Sequence, residues 1–209
     1  NNNPVYRLKP RENQQINQWW MTDEVRYGWH FAHDEARRRM PEIKGEDDFE
    51  DDRADEAWDQ AEAVALDGLQ RGGHIAALIS PMLSCEDAWH IARLARAIDP
   101  NAVLGVGPVP FDGQDKTFPS GFIVRAEKAP NARGVRRVLD AMGGTVLDAE
   151  AFTATLSEDG SIGGVIVTGN YPSAWVVPAL VDAIDGARFT VLIDTMPNAL
   201  TDTCDVFLP

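Results

Sequence analysis

The residues best placed to do chemistry cluster near the C-terminal end of the chain. Thr168-Gly169-Asn170-Tyr171-Pro172-Ser173 follows an apolar run and precedes a helical one. A glycine there lets a ligand approach the backbone, and free N–H groups at a helix start attract phosphate. The same residues also make a tight turn with Ser173 as helix cap. Asp194-Thr195-Met196-Pro197-Asn198 follows the next apolar run. Its plainest reading is loop capping by the Asp and Asn side chains. His30 and His33 stand one helical turn apart beside Asp34, a spacing that could hold a metal. No third ligand has a defensible spacing, so they read as surface histidines. Cys85 follows the cap residue Ser84, where a helix start can lower a thiol pKa. The plainer expectation for it is a small buried core residue. The sequence offers no Ser/His/Asp set, no Walker loop and no Gly-x-Gly-x-x-Gly fingerprint.

Such groups need a scaffold, and the composition supplies one. The chain has 209 residues, 44% of them hydrophobic, enough for a real core. A net charge of -14 disfavours nucleic acid, whose phosphates require a basic surface, and disfavours an anionic membrane. No apolar run is long enough to span a bilayer, so no direct membrane insertion is expected. Two distant cysteines, Cys85 and Cys204, make neither a disulfide framework nor a Cys-x-x-Cys metal pair. A reducing, cytoplasmic compartment fits that usage. An iron–sulfur cluster held by this segment alone is close to excluded, since clusters usually need four thiolates. The start at Asn1-Asn2-Asn3 and the stop at Val206-Phe207-Leu208-Pro209 suggest a piece of a longer polypeptide, truncated at its C-terminus.

The spacing of apolar residues predicts an irregular appendage over residues 1–50 and an α/β domain over 51–209. Trp19 and Trp20 are expected as buried anchors between layers, because their area is costly to expose. Asp34 to Arg39 reads as a solvated turn or short helix, and Gly45 to Asp52 as an acidic loop. Helical spacing follows over Arg53 to Gln70, ended by Gly72-Gly73, then over a helix capped by Ser84 and another over Ala132 to Met142. A further helix is expected directly after Pro172, running to about Ile184. Strands are expected at His74–Ile79, Ala102–Val106, Gly163–Thr168, Phe189–Asp194 and Asp205–Leu208, with Gly121–Arg125 a strand or extended segment. A Gly- and Pro-rich loop fills Pro108 to Ser120. Apolar strands alternating with amphipathic helices imply a doubly wound, mostly parallel, Rossmann-like sheet.

Arg7, Pro10, Arg11, Asn13, Ile16, Asn17, Trp20, Asp23, Arg26, Tyr27 and Gly28 fall in the order and spacing of a passage in a known family. That passage resembles one in the large iron–sulfur subunit of respiratory NADH:quinone oxidoreductase (complex I) and in related molybdopterin-oxidoreductase-like proteins. Further similarity lies at Trp58 to Ala61, Ser80 to Asp87, the Lys128-Ala129-Pro130-Asn131 turn and Asp205 to Pro209. In cluster-bearing members a Cys of the first passage is the last ligand of a [4Fe-4S] cluster. Here Thr22 takes that place, and Val25 replaces a following Gly.

The resemblance implies a molybdopterin-oxidoreductase-like domain and, in residues 1–50, the remnant of a [4Fe-4S]-binding region. It implies no metal and no cofactor in this segment, with [2Fe-2S] and [4Fe-4S] clusters conceivable in an N-terminal part of the parent chain. Gly169-Asn170 is similar to the turn that contacts the cofactor nucleotide in the wider superfamily, with Tyr171 inserted before Pro172. Asp194 matches an acidic strand end that can face the nucleotide. Together Gly169, Asn170 and Asp194 would form a vestigial nucleotide pocket. Asn131 is expected to cap the helix after it. The function implied is a non-catalytic scaffold in a multi-subunit redox complex, peripheral to the inner membrane through that complex. The alternatives are part of an active formate-dehydrogenase-like enzyme, the electron-transfer subunit of a NAD-reducing hydrogenase, or an ordinary nucleotide-binding Rossmann module.

Overall fold

The structure is a computed structural model that describes residues 4–46, 49 and 53–209, and of Glu24 the backbone. The acidic run Gly45 to Asp52 therefore lies in part outside the described residues. Helix α1 (Asp23–Tyr27) and a 3₁₀ turn (Gly28–His33) come first, followed by strand β1 (Glu42–Ile43) and helix α2 (Ala54–Gly72). Then come β2 (His74–Ile79), α3 (Cys85–Ile98), β3 (Val103–Val106), β4 (Lys116–Thr117) and β5 (Ile123–Val124). The chain continues through α4 (Ala132–Ala141), β6 (Val146–Leu147), α5 (Ala149–Glu158) and β7 (Ile162–Thr168). It closes with α6 (Pro178–Asp185), β8 (Phe189–Ile193) and β9 (Val206–Leu208).

Seven strands form one sheet in the order β1-β9-β8-β7-β2-β3-β6. Six run parallel, and β1 pairs antiparallel with β9 at the edge. The parallel part winds outward from β2 through β3 to β6, then returns beside β2 and winds the other way through β7, β8 and β9. This is a mostly parallel α/β sheet compatible with a Rossmann-like fold. The sheet also reaches into the segment read as the appendage. Ile43 is buried in the core, and the backbone N–H of Lys44 donates to the Asp205 carbonyl.

Alternation along the central strands decides which helices cover which face. Ile75, Ala77 and Ile79 point to a core shared with Ala61, Ala65 and Leu69 of α2, the alanines of α3, and Val135 and Leu139 of α4. Ala76 and Leu78 point to a second core with Phe152 of α5 and Leu180 and Ile184 of α6. Small residues at helical spacing (Ala88, Ala92, Ala95) let α3 lie close on the sheet. Among the described residues no helix is long and apolar enough to cross a membrane.

Helix α5 and strand β6 have no counterpart among the elements expected from sequence. Asp148 caps α5 by accepting from the Ala151 N–H at 2.8 Å, but the helix buries only Phe152 completely. Thr153, Thr155 and Ser157 each donate to the carbonyl four residues back, which satisfies their hydroxyls and hides the usual periodicity. Phe152 stands against β3, where an added Cβ on Gly105 would come within 2.6 Å of its ring. The helix after β7 also starts later than expected. Val177 is extended at ψ 151° because Pro178 follows it, and Pro178 opens the helix where a missing N–H costs nothing. Ser173 is therefore a loop residue, and the cap position belongs to Val177.

Trp19 and Trp20 are not buried anchors. They stack on each other with centroids 4.7 Å apart and remain 59% and 65% exposed. The hydrogen bonds beside the rings are local, among them the Trp20 N–H on the Asn17 carbonyl and the Asn13–Gln18 bridge. Replacing Phe152 by Ala is expected to cost about 3–5 kcal/mol, the range for a fully buried Phe. Urea unfolding monitored by circular dichroism measures it.

Candidate functional site

A doubly wound sheet places ligands beyond the carboxyl ends of its strands, where the strand order reverses. Here that point lies between β2 and β7. Their ends are locked together: the Ser80 N–H donates to Thr168 Oγ1 at 2.7 Å, and the Thr168 hydroxyl donates to the Leu78 carbonyl at 3.3 Å. Both side chains are fully buried. The backbone then turns at Gly169 and Asn170, with Asn170 at a left-handed φ of 68°. Asn tolerates that region better than most residues.

Gly169, Asn170 and Asp194 do come together. Asp194 is 3% exposed, at the end of β8. Its Oδ1 accepts from the backbone N–H of Asn170 at 2.9 Å, Thr195 at 2.7 Å and Met196 at 3.4 Å. Its Oδ2 accepts from Trp175 Nε1 at 3.2 Å and Asn198 Nδ2 at 3.0 Å. Gly169 is glycine for steric reasons, since a Cβ there would lie 1.8 Å from Asp194 Oδ2. A carboxylate has about four lone-pair sites, so these donors leave none for a ribose hydroxyl. The Asn170 side chain is exposed, and its Oδ1 accepts from the Thr195 hydroxyl at 3.4 Å.

The residue that most alters the site is Tyr171. Its ring is buried beside the switch point, stacked on Trp175 at 4.8 Å, and its hydroxyl donates to the Pro108 carbonyl at 2.8 Å. Burial pushes its phenol well above the ordinary value, with nearby Asp194 adding to the effect. The crevice that would take a nucleotide is occupied by the chain's own aromatic side chain. The only sequence sign of this was the Tyr inserted between Asn170 and Pro172. The nucleotide groups considered above do not fit these residues as they stand.

A separate cleft of about 640 Å³ opens at the carboxyl ends of β3 and β6. Val106, Pro108 and Phe111 form its apolar side, and Glu127, Arg133, Arg136, Asp148 and Glu150 its polar rim. The Arg136 guanidinium donates to the Val146 carbonyl at 2.7 Å. None of these residues stood out as a site in the sequence, because they lie at a strand end, on a loop and on two helices with no shared motif.

The remaining candidates disperse. Thr22 caps α1, its carbonyl accepting from the Arg26 N–H at 2.9 Å and its hydroxyl oxygen from the Val25 N–H at 3.4 Å. Thr22 thus acts as a helix cap. His33 Nε2 accepts from the Val5 N–H at 2.6 Å, and His30 stacks on Trp29. Among the described residues no three His, Cys, Asp or Glu side chains converge as a metal site. Asn131 occupies the cap position of α4 without capping it. Its amide instead donates to the Leu83 carbonyl at 2.8 Å, tying α4 to the loop before α3. Cys85 is exposed, not a core residue. The spacing 85, 88, 92, 95 aligns it with buried alanines, but as the first residue of α3 it meets Asn131 and Gly134 at the start of α4, not a strand. Cys204 is buried, and burial first, with Asp205 adding, pushes its thiol up to about 12.

No model of a known protein family matches this chain, and no curated protein matches it.

Asp194→Asn turns one acceptor into a donor facing other donors and should cost about 2 kcal/mol of stability by chemical denaturation. Asn170→Gly, at a positive φ, should change stability by less than about 1 kcal/mol. In the native protein an aromatic disulfide reagent should label Cys85 within the time of mixing and Cys204 only after unfolding, as counted by released thiolate absorbance.

Proposed function

We propose that this chain is a non-catalytic scaffold segment of an electron-transfer protein resembling the large iron–sulfur subunit, in an assembly of the NADH:quinone oxidoreductase (complex I) type. The observation that carries the reading is the filled switch point. Tyr171 occupies the crevice and Asp194 is saturated by protein donors, so the fold is kept while its usual ligand place is given to packing. The motif around Trp20 to Gly28 supports the family, and Thr22 as a helix cap accords with a lost [4Fe-4S] ligand. On this reading the segment corresponds to a molybdopterin-oxidoreductase-like domain that binds no molybdopterin. Its partners are other subunits of the complex, through which it sits in the cytoplasm peripheral to the inner membrane. Any [2Fe-2S] or [4Fe-4S] clusters belong to a part of the parent chain that precedes this one.

The competing reading is an active molybdopterin oxidoreductase or a NAD-linked subunit. Isothermal titration with NAD⁺ and with guanine nucleotides is expected to give no heat of binding, and metal analysis of the full-length protein no molybdenum or tungsten. Stoichiometric molybdenum or tungsten, or a saturable nucleotide isotherm, would sink the scaffold reading.

A further inference from the structure

In a chain of net charge -14, the stretch after β3 runs the other way. Residues 108–137 carry Lys116, Arg125, Lys128, Arg133, Arg136 and Arg137 against Asp112, Asp115 and Glu127. They form a ribbon rising from the carboxyl end of β3 and then the first turns of α4. The ribbon is held at its base by the Asp112 N–H on the Ala126 carbonyl and the Lys128 N–H on the Pro110 carbonyl, each 2.8 Å. Further out, β4 and β5 pair, among the described residues, only with each other. Each therefore keeps an unpaired backbone edge.

The ribbon also exposes large apolar side chains. Phe111, Phe122 and Phe118 are 70%, 64% and 47% exposed, with the rings of Phe118 and Phe122 6.0 Å apart. Exposed rings gathered on one short ribbon are uncommon for a surface without a partner. Arg125 is paired with Asp115 at 2.6 Å. Lys116, Arg133, Arg136 and Arg137 have no ion pair among the described residues. Arg133 and Arg136 border the cleft beside the ribbon, and Phe111 lines it. The far wall carries Asp148, engaged in capping α5, and Glu150.

We infer that the β4–β5 ribbon and the exposed face of α4 dock an extended acidic segment of a partner protein, one that alternates carboxylates with apolar side chains. The open strand edge supplies backbone hydrogen bonds, the phenylalanines supply apolar anchors, and the unpaired arginines select acidic neighbours. Nucleic acid fits less well. A phosphate at every step would meet Asp112, Asp115, Glu127 and Glu150, and the small local excess of positive charge would release few counterions. This inference rests on the scaffold reading only for the existence of a partner. A nucleotide site at the switch point would end that reading and leave the ribbon's charge and exposure as they are.

The test is fluorescence anisotropy of the full chain with a short fluorescein-labelled peptide alternating Glu and Phe. Controls alternate Lys and Phe, or Glu and Ala, and a single-stranded oligothymidylate covers nucleic acid. Saturable binding of the Glu/Phe peptide is expected, weakened by added salt and by about tenfold or more in R133E/R136E/R137E. The charge-keeping R133K/R136K/R137K should retain most of it. F118S/F122S alters only solvent-facing rings and should lose binding while keeping the native circular dichroism spectrum, which covers the case in which charge reversal unfolds α4. Absence of binding by the Glu/Phe peptide overturns the inference. So does binding that survives both the charge-reversed and the ring variants, equal binding of the Lys/Phe peptide, or tighter binding of the oligonucleotide. Self-association through this face, seen by sedimentation and removed by F118S/F122S, would assign it to a second copy and also overturn the inference.

Discussion

The carboxylate of Asp194 holds the ligand end of this fold together. Removing a charged group from water is costly unless donors replace the lost hydration, and here five of them do. Those donors come from the loop after β7, from Trp175 further along it, and from the loop after β8. One side chain thereby sets the course of both loops. The effect extends to the N-terminal arm, because the Arg38 N–H donates to the Thr195 carbonyl at 3.1 Å next to this hub. Gly169 is the corollary, a position where any side chain would strike the carboxylate.

That arrangement constrains function as well as folding. An acidic strand end can anchor a ribose only while its oxygens are free, and a crevice can take a base only while it is empty. In this chain both conditions fail for the same reason: the loop after β7 folds inward, bringing Tyr171 and Trp175 over the switch point. With the interior of the site spent on packing, the chemical variety of the molecule moves outward. The stacked Trp19 and Trp20 stand on one exposed surface, and the phenylalanines and arginines of the β4–β5 ribbon on another. A scaffold would be distinguished from a nucleotide enzyme in this way, by what it exposes more than by what it encloses.

Much of the architecture was legible because it rests on periodicity. The strands at His74–Ile79 and Ile162–Thr168 are buried along almost their whole length, and their composition says so. The alanines of α3 and the Gly72-Gly73 stop of α2 are equally plain. What stayed hidden was weakly periodic or tertiary in origin. Helix α5 shows one buried residue and three hydroxyls that satisfy themselves, so its sequence looks like a loop. Asn131 has the residue type of a cap, yet its amide finds a better partner in the Leu83 carbonyl across the groove. The tryptophans at 19 and 20 have the chemistry of core residues, but they stand exposed and stack on each other.

The sequence by itself determined the α/β class, most strand positions, the acidic character and the absence of a cysteine set for a cluster, because each follows from composition or local spacing. It also brought Gly169, Asn170 and Asp194 into consideration as a group, since strand ends in such a fold converge. Only the tertiary structure decided what that group does. Whether a carboxylate faces a ligand or five donors of its own chain depends on how two loops distant in sequence pack against each other. Whether a tyrosine fills a crevice depends on a carbonyl at Pro108, 63 residues away. Local spacing carries no record of such contacts, because their free energy arises only when separate elements meet.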